Sequence, residues 1–331
     1  MEFFNPASNV QFMAIRRYTV AVSLILVLIS IVSLATRGLN LALDFTGGTL
    51  VEVVYAEPVE QAALSKNLET AGIRGAVVQR FDSTNFSIRL SPEAADAAAE
   101  AAEQAEGEAV VESSIDDRNA AVGQKVLDAL TVENNKVSIK RSEFVGPQVG
   151  GELAYNGIVA ILVVLAGIMI YIALRFEWKF SLGVVAGELH DVLIVLGFFS
   201  LTGMDFDLTV LAAILAVDGY SVNDKIVVFD RVRELFRSSR KANPEEIMNL
   251  AINQTLSRTI MTSLTTLLTV VSLYVFGGSS VEGFALALII GIVIGTLSSI
   301  FFAGPVVLAL GVNKQDLMPK ARDETELARR P

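Results

Sequence analysis

The sequence predicts a membrane protein: six transmembrane α-helices, with a small α+β domain, ferredoxin-like in its βαββαβ order, outside the cytoplasm after the first helix. Three observations predict it. Hydrophobic residues make up 52% of the 331 and charged residues only 19%, where an ordinary soluble domain has roughly 25% charged. The apolar residues fall into six blocks, near 17–36, 153–174, 180–203, 208–229, 256–276 and 284–310. Each is close to the ~20 residues that cross a bilayer core, and none alternates as a strand would, so all six read as helices. The long gap at 37–150 carries strand-like and helix-like patterns in turn.

The first block resembles a cleaved signal peptide only at Ser33-Leu34-Ala35. Its apolar run exceeds the ~7–15 residues of such peptides, so it reads as a retained anchor. Orientation follows from Lys and Arg in the short connections. Arg16 and Arg17, Arg175 and Lys179, the run Arg231, Arg233, Arg237, Arg240 and Lys241, and the tail residues Lys314, Lys320, Arg322, Arg329 and Arg330 share one side. The opposite connections, 203–207 and 277–283, carry neither Lys nor Arg. Residues 1–16 and the tail 311–331 are therefore expected in the cytoplasm, 37–150 in the periplasm, and the five-helix region at 151–310. Asn243-Pro244-Glu245-Glu246 starts a helix that runs into the fifth span, with an Asn cap, Pro at the first position and Glu three after the cap.

Within 37–150, Thr49–Tyr55 reads as a strand, and Pro58–Ala71 as a helix ended by Gly72. Ala76–Phe81 and Asn85–Leu90 are strands around the turn cluster Asp82-Ser83-Thr84. Ser114–Leu130 is a second helix and Lys136–Phe144 a last strand, which completes the split-βαβ order. The Ala- and Glu-rich stretch Ser91–Glu112 reads as an exposed helical or disordered insertion, or as an acidic docking arm.

Composition narrows the chemistry. Without cysteine and with a single histidine, the chain offers no disulfide, thiol or Cys-type metal site, and no metal is expected. The net charge of −10 argues against nucleic acid as a partner. No G-x-x-x-x-G-K-[ST] occurs, so no nucleotide is expected on this chain. No nucleophile–base pair is apparent. The chain reads as no enzyme, with no catalytic residues and no cofactor.

Ionisable residues inside spans cost about 2.5–3.5 kcal/mol each and are functional candidates by default. The third span holds Glu188, His190 and Asp191; the fourth holds Asp218, Asp224 and Lys225; Arg258 enters the fifth from the cytoplasmic end. At a rise of about 1.5 Å per residue from Leu208, Asp218 lies roughly 15 Å deep and Asp224 roughly 24 Å. That depth matches Arg258, and an Asp224–Arg258 pair would lower the penalty of both. Asp218 and Lys225 share a face about 10 Å apart, too far to touch without a third group. His190, beside Asp191, reads equally as structural or as tuning a relay. Arg258, Thr262, Thr265, Thr269 and Ser272 fall within about 40° of one line, a hydroxyl stripe that helix packing could explain but that, beside the buried acids, reads better as the lining of a hydrated ion path. Gly291 and Gly295 read as helix packing.

Four blocks in order carry a family resemblance: Asp44-Phe45-Thr46-Gly47-Gly48-Thr49; Val145-Gly146-Pro147-Gln148-Val149-Gly150; Gly219-Tyr220-Ser221-Val222-Asn223-Asp224 with Val227–Glu234; and Asn253-Gln254-Thr255-Leu256-Ser257-Arg258-Thr259. Over nearly its whole length the chain resembles the SecF family of protein-export membrane subunits, related to the resistance–nodulation–division transporters. The resemblance implies an auxiliary subunit that pairs with SecD, works with the SecYEG channel, YajC and a translocating preprotein, and draws on the proton or sodium gradient in the membrane lipid of the bacterial inner membrane. It also implies that Asp224 and Arg258 are the ion-coupling pair. Asp218 and Glu188 depart from the family pattern, which leaves open a changed ion preference, or a pairing of the two with each other or with Lys225. A competing reading is half of an ion-coupled lipid or small-molecule exporter, but that would need a second large outer domain between the third and fourth spans.

Overall fold

The computed structural model describes residues 9–98, 115–131, 135–238 and 243–313. They form two compact units. One comprises residues 41–160 and 205–208; the other comprises the chain up to residue 40, 161–204, and the chain from 209 on.

The first unit is built on a four-stranded antiparallel sheet. Its elements run β1 (Gly48–Tyr55), α2 (Gln61–Thr70), β2 (Val77–Arg80), β3 (Asn85–Leu90), α3 (Ile115–Leu130) and β4 (Val137–Val145), α1 being the helix Arg16–Arg37 of the other unit. The strands lie in the order β2-β3-β1-β4. The strand and helix boundaries fall within three residues of those expected. Alternate strand residues (Val51, Val53, Phe86, Ile88) and the inner faces of the helices (Leu64, Leu68, Val126, Leu130) close one core. Tyr55 is buried there; its hydroxyl donates to Leu130 O at 2.9 Å and its ring meets Phe86 edge-on. Residues 92–98 of the expected insertion are helical, and 99–112 lie outside the described residues.

A short helical turn at Leu43–Thr46 precedes β1, a feature absent from the sequence reading. The Asp44 carboxylate accepts from Leu208 N at 3.0 Å, satisfying an amide at the start of the next long helix as an N-cap does. Gly150 must be glycine: a Cβ there would sit 2.8 Å from Gly47 N and 3.1 Å from Phe45 O. The first and second family-like blocks are therefore packed backbone to backbone.

The second unit is a helical bundle. After α1 come α4 (Pro147–Arg175, whose first residues belong to the other unit), α5 (Trp178–Thr202), α6 (Leu208–Ser238), α7 (Pro244–Phe276), α8 (Ser279–Ser298) and α9 (Gly304–Ala309). Among the described residues, five segments are long and apolar enough to cross a membrane: Phe12–Arg37, Gln148–Arg175, Trp178–Thr202, Pro244–Phe276 and Ser280–Ala309. The expected fourth span, in α6, falls short of that measure because Asp218, Asp224 and Lys225 interrupt it. The helix also runs on to Ser238, well past residue 229, because Val232 and Phe236 continue its buried face. The last span is not one helix either: a π-helical turn, Ser299–Ala303, separates α8 from α9. The core joins Phe180, Val184, Phe229, Val232, Phe236, Met248 and Val307. As expected, Asn243 caps α7, its side chain accepting from Glu245 N at 3.2 Å.

Small residues set the helix spacing. A Cβ on Gly197 of α5 would lie 2.7 Å from Ser30 Cα of α1, and Ser33 and Ser200 share a hydrogen bond of 2.8 Å nearby. The segment before α1 is held by two asparagines of α7. Asn249 Oδ1 accepts from Met13 N at 2.9 Å, and Asn253 accepts from Val10 N at 3.0 Å while donating to Val10 O at 2.9 Å.

Candidate functional site

The bundle buries an ionic cluster between α5, α6 and the end of α8. Glu188 and Asp191 are three residues apart on α5, and Ser221 and Lys225 four apart on α6, so each pair projects from one helix face. Lys225 is fully buried, and its Nζ donates to Glu188 Oε1 and Asp191 Oδ2, each at 2.7 Å, and to Ser221 Oγ. An ammonium has three donors, and all three are used. Asp191 Oδ2 also accepts from Ser221 at 2.7 Å and from Ser298 at 2.8 Å. His190 Nδ1 lies 2.8 Å from Asp191 Oδ1; because a carboxylate only accepts, Nδ1 carries the proton. Asp191 is thus a fully solvated anion in all but water.

The backbone makes room for this cluster. A Cβ on Gly187 would lie 3.2 Å from Lys225 Cδ, and one on Gly295 would lie 2.7 Å from Ser221 Oγ. Gly291 is likewise closed over by Val217. The His190 ring stacks on Phe302 of the π-turn, centroids 4.4 Å apart. His190 and Ser298 also line a cavity of about 270 Å³ together with Tyr18, Thr19, Ile194 and Phe301, so two of the groups that donate to Asp191 border open space.

Two further carboxyls are less well provided. Asp218 lies within hydrogen-bonding reach of Glu188, the third group needed to link it to Lys225. Yet Glu188 Oε2 and Asp218 Oδ1 are buried with no donor. Asp224 is 3% exposed and its Oδ2 has no partner. Arg258 is near enough to attract Asp224 electrostatically, but no ion pair within 4.0 Å joins them among the described residues, and Arg258 itself is exposed. The Asp224–Arg258 pairing that the sequence suggested, without fixing whether the two meet directly, is a longer-range attraction here. The rotation of each helix was not readable in the sequence.

The hydroxyl stripe of α7 turns away from the cluster. Thr265, Thr269 and Ser272 are exposed, and Thr262, Thr265, Thr269 and Ser272 donate to backbone carbonyls one turn back at 2.8–3.2 Å. Sequence reasoning missed Gly187, Ser298 and Phe302. Ser299, which continues the four-residue spacing of Gly291 and Gly295, bonds Thr296 O at 2.8 Å.

Residues 125–313 match the family model for the protein export membrane protein SecD/SecF, C-terminal, and residues 32–59 match the SecD/SecF GG motif. The protein translocase subunit SecF of Pseudomonas aeruginosa is 42% identical over 96% of this chain and 96% of its own. That of Escherichia coli O157:H7 is 40% identical over 90% of this chain and 86% of its own. Among solved structures, SecDF from Thermus thermophilus, a translocon-associated membrane protein, matches 93% of this chain with a TM-score of 0.80 and 35% identity. SecDF in its super-membrane-facing form matches 100% with a TM-score of 0.64 and 36% identity. This chain spans only 39% and 41% of those two solved chains. The family model covers more than half of the sequence and the relatives nearly all of it: the chain belongs to the SecD/SecF family of protein-export membrane proteins.

Proposed function

We propose that this chain is an auxiliary subunit of the general protein-export machinery, which pairs with SecD and promotes preprotein translocation through SecYEG, with YajC, at the expense of the proton or sodium gradient. In this reading α6 is the fourth of six spans, its charges buried by the bundle and by a partner, both termini are cytoplasmic, and the sheet domain is a periplasmic ferredoxin-like module. The strand order β2-β3-β1-β4 supports the last point. The chain works without a cofactor of its own; the coupling ion is its only small partner.

The observation that carries the reading is Asp224. A carboxyl 3% exposed, with one oxygen unpartnered, in a helix crossing lipid is costly unless it is used. Arg258 attracts it from the neighbouring helix, so loading and unloading a cation at Asp224 changes the force between α6 and α7. The solved SecDF chains are more than twice as long as this one, which supports a second half supplied by SecD. The exposed α7 face with Arg258, Leu264, Leu268 and Thr269 suits packing against it.

Gradient-driven release of a secreted precursor from membrane vesicles tests the reading. Asp224→Asn and Arg258→Met, each assembled with SecD at normal levels, are expected to abolish the gradient-dependent part. Wild-type release from either variant would overturn it.

A further inference from the structure

Glu188 of α5 and Asp218 of α6 are 1% and 2% exposed, and their carboxyl groups lie within hydrogen-bonding reach of each other. Glu188 Oε1 accepts from Lys225, but Glu188 Oε2 and Asp218 Oδ1 have no donor. Ionised carboxylates only accept hydrogen bonds. Two of them in contact and out of water repel each other and leave both orphan oxygens desolvated. A single proton between them makes one carboxyl a donor to the other and removes one buried charge.

Among the described residues no neighbour can do this instead. The three N–H groups of Lys225 are already used by Glu188, Asp191 and Ser221. His190 Nδ1 and Ser298 point to Asp191. Lys225 and Asp191 balance in charge, so the Glu188–Asp218 pair sets the net charge of the cluster, −2 without a proton and −1 with one. A sodium ion fits less well. The place between Glu188, Asp191 and Ser221 is filled by the tethered ammonium of Lys225. Among the described residues no group of three or more acidic or histidine side chains is arranged to hold a metal ion.

We propose that Glu188 and Asp218 form a proton-sharing carboxyl pair, a proton-binding site distinct from Asp224 that does not accept sodium. The site does not depend on the export reading, and its test uses no export assay. Infrared spectra of the full chain in lipid nanodiscs at pH 7 should contain a protonated-carboxyl band. That band is lost in Glu188→Gln and equally in Asp218→Asn, since either amide supplies the N–H that the remaining carboxylate needs. It persists in Asp224→Asn, and exchanging sodium for choline leaves it in place. Absence of the band from the unmutated chain, which requires no variant to fold, overturns the proposal. So does its survival in either amide variant, its loss in Asp224→Asn, or its loss on adding sodium.

Discussion

Replacing Lys225 by Met removes the cation at the centre of the cluster while keeping most of the side-chain volume. The structure shows where the cost falls. Asp191 keeps three donors, Ser221, Ser298 and His190. Glu188 loses its donor to Oε1, and its Oε2 has none already. Breaking a buried pair by deleting one member costs about 3–5 kcal/mol because the other charge is left behind. Protonation of Glu188 would hold the loss near the lower end, so about 3 kcal/mol is expected, on the order of 100-fold in the unfolding equilibrium. Adding Glu188→Gln to Lys225→Met removes the stranded charge and should bring stability back to within about 1 kcal/mol of the parent. Reversible denaturant unfolding in one fixed detergent measures all four corners of this cycle. The reasoning is refuted if Lys225→Met alone lies within about 0.5 kcal/mol of the parent, or if the double variant is no more stable than the single.

Four other outcomes follow from the same geometry. Burial pushes the Tyr55 hydroxyl up to about 12, so its contribution is complete below pH 10 and is lost as pH rises from 10 towards 12, by about 2–3 kcal/mol; Tyr55→Phe should flatten that part of an alkaline unfolding profile. Gly197→Val should push α1 away from α5 at a cost of about 1–3 kcal/mol; in this cysteine-free chain, a Ser33→Cys/Ser200→Cys pair crosslinks readily, and adding Gly197→Val should suppress the crosslink. Asn253→Ala deletes both hydrogen bonds to Val10, about 1 kcal/mol each, and hydrogen exchange at the Val10 amide should speed up while the core of α7 is unchanged. Asp44→Ala removes the acceptor of the Leu208 amide, and a loss of about 1 kcal/mol should appear as faster exchange at the start of α6.

How far the sequence spoke for the structure depends on the range of the forces involved. Blocks of apolar residues sum over about 20 positions, so five of the six expected spans could be read, as could the strands from their β-rich runs between turn residues. Features decided by one contact could not. The π-turn at Ser299–Ala303 leaves no pattern in Ser-Ile-Phe-Phe-Ala; what accompanies it is Ser298 against Asp191 and Phe302 against His190, contacts distant in sequence. The turn at Leu43–Thr46 likewise takes its purpose from Leu208, far away in sequence. In the site itself, spacing along each helix follows from counting residues, and the separation of Asp218 and Lys225 already required a third group between them. Azimuth depends on which neighbour each helix packs against, and for that reason the outward turn of Arg258 and Thr265 was not readable, whereas a pairing of Glu188 with Asp218 or Lys225 was among the sequence's alternatives.

The cluster divides its buried charge unevenly, and the division has a physical consequence. Lys225 and Asp191 have every donor and lone pair engaged that the geometry allows, and a fully satisfied network resists change because any movement strands a charge in a medium of low dielectric. Asp224, Asp218 and Glu188 each keep an oxygen without a partner. A cation arriving at Asp224, or a proton arriving at the Glu188–Asp218 pair, gains the whole of an interaction that is absent beforehand, while one arriving at Asp191 would have to displace four donors first. On the proposed reading, ion loading shifts the balance of the bundle at these incomplete carboxyls among the described residues, with the Lys225–Asp191 pair as the fixed point against which α5 and α6 are held.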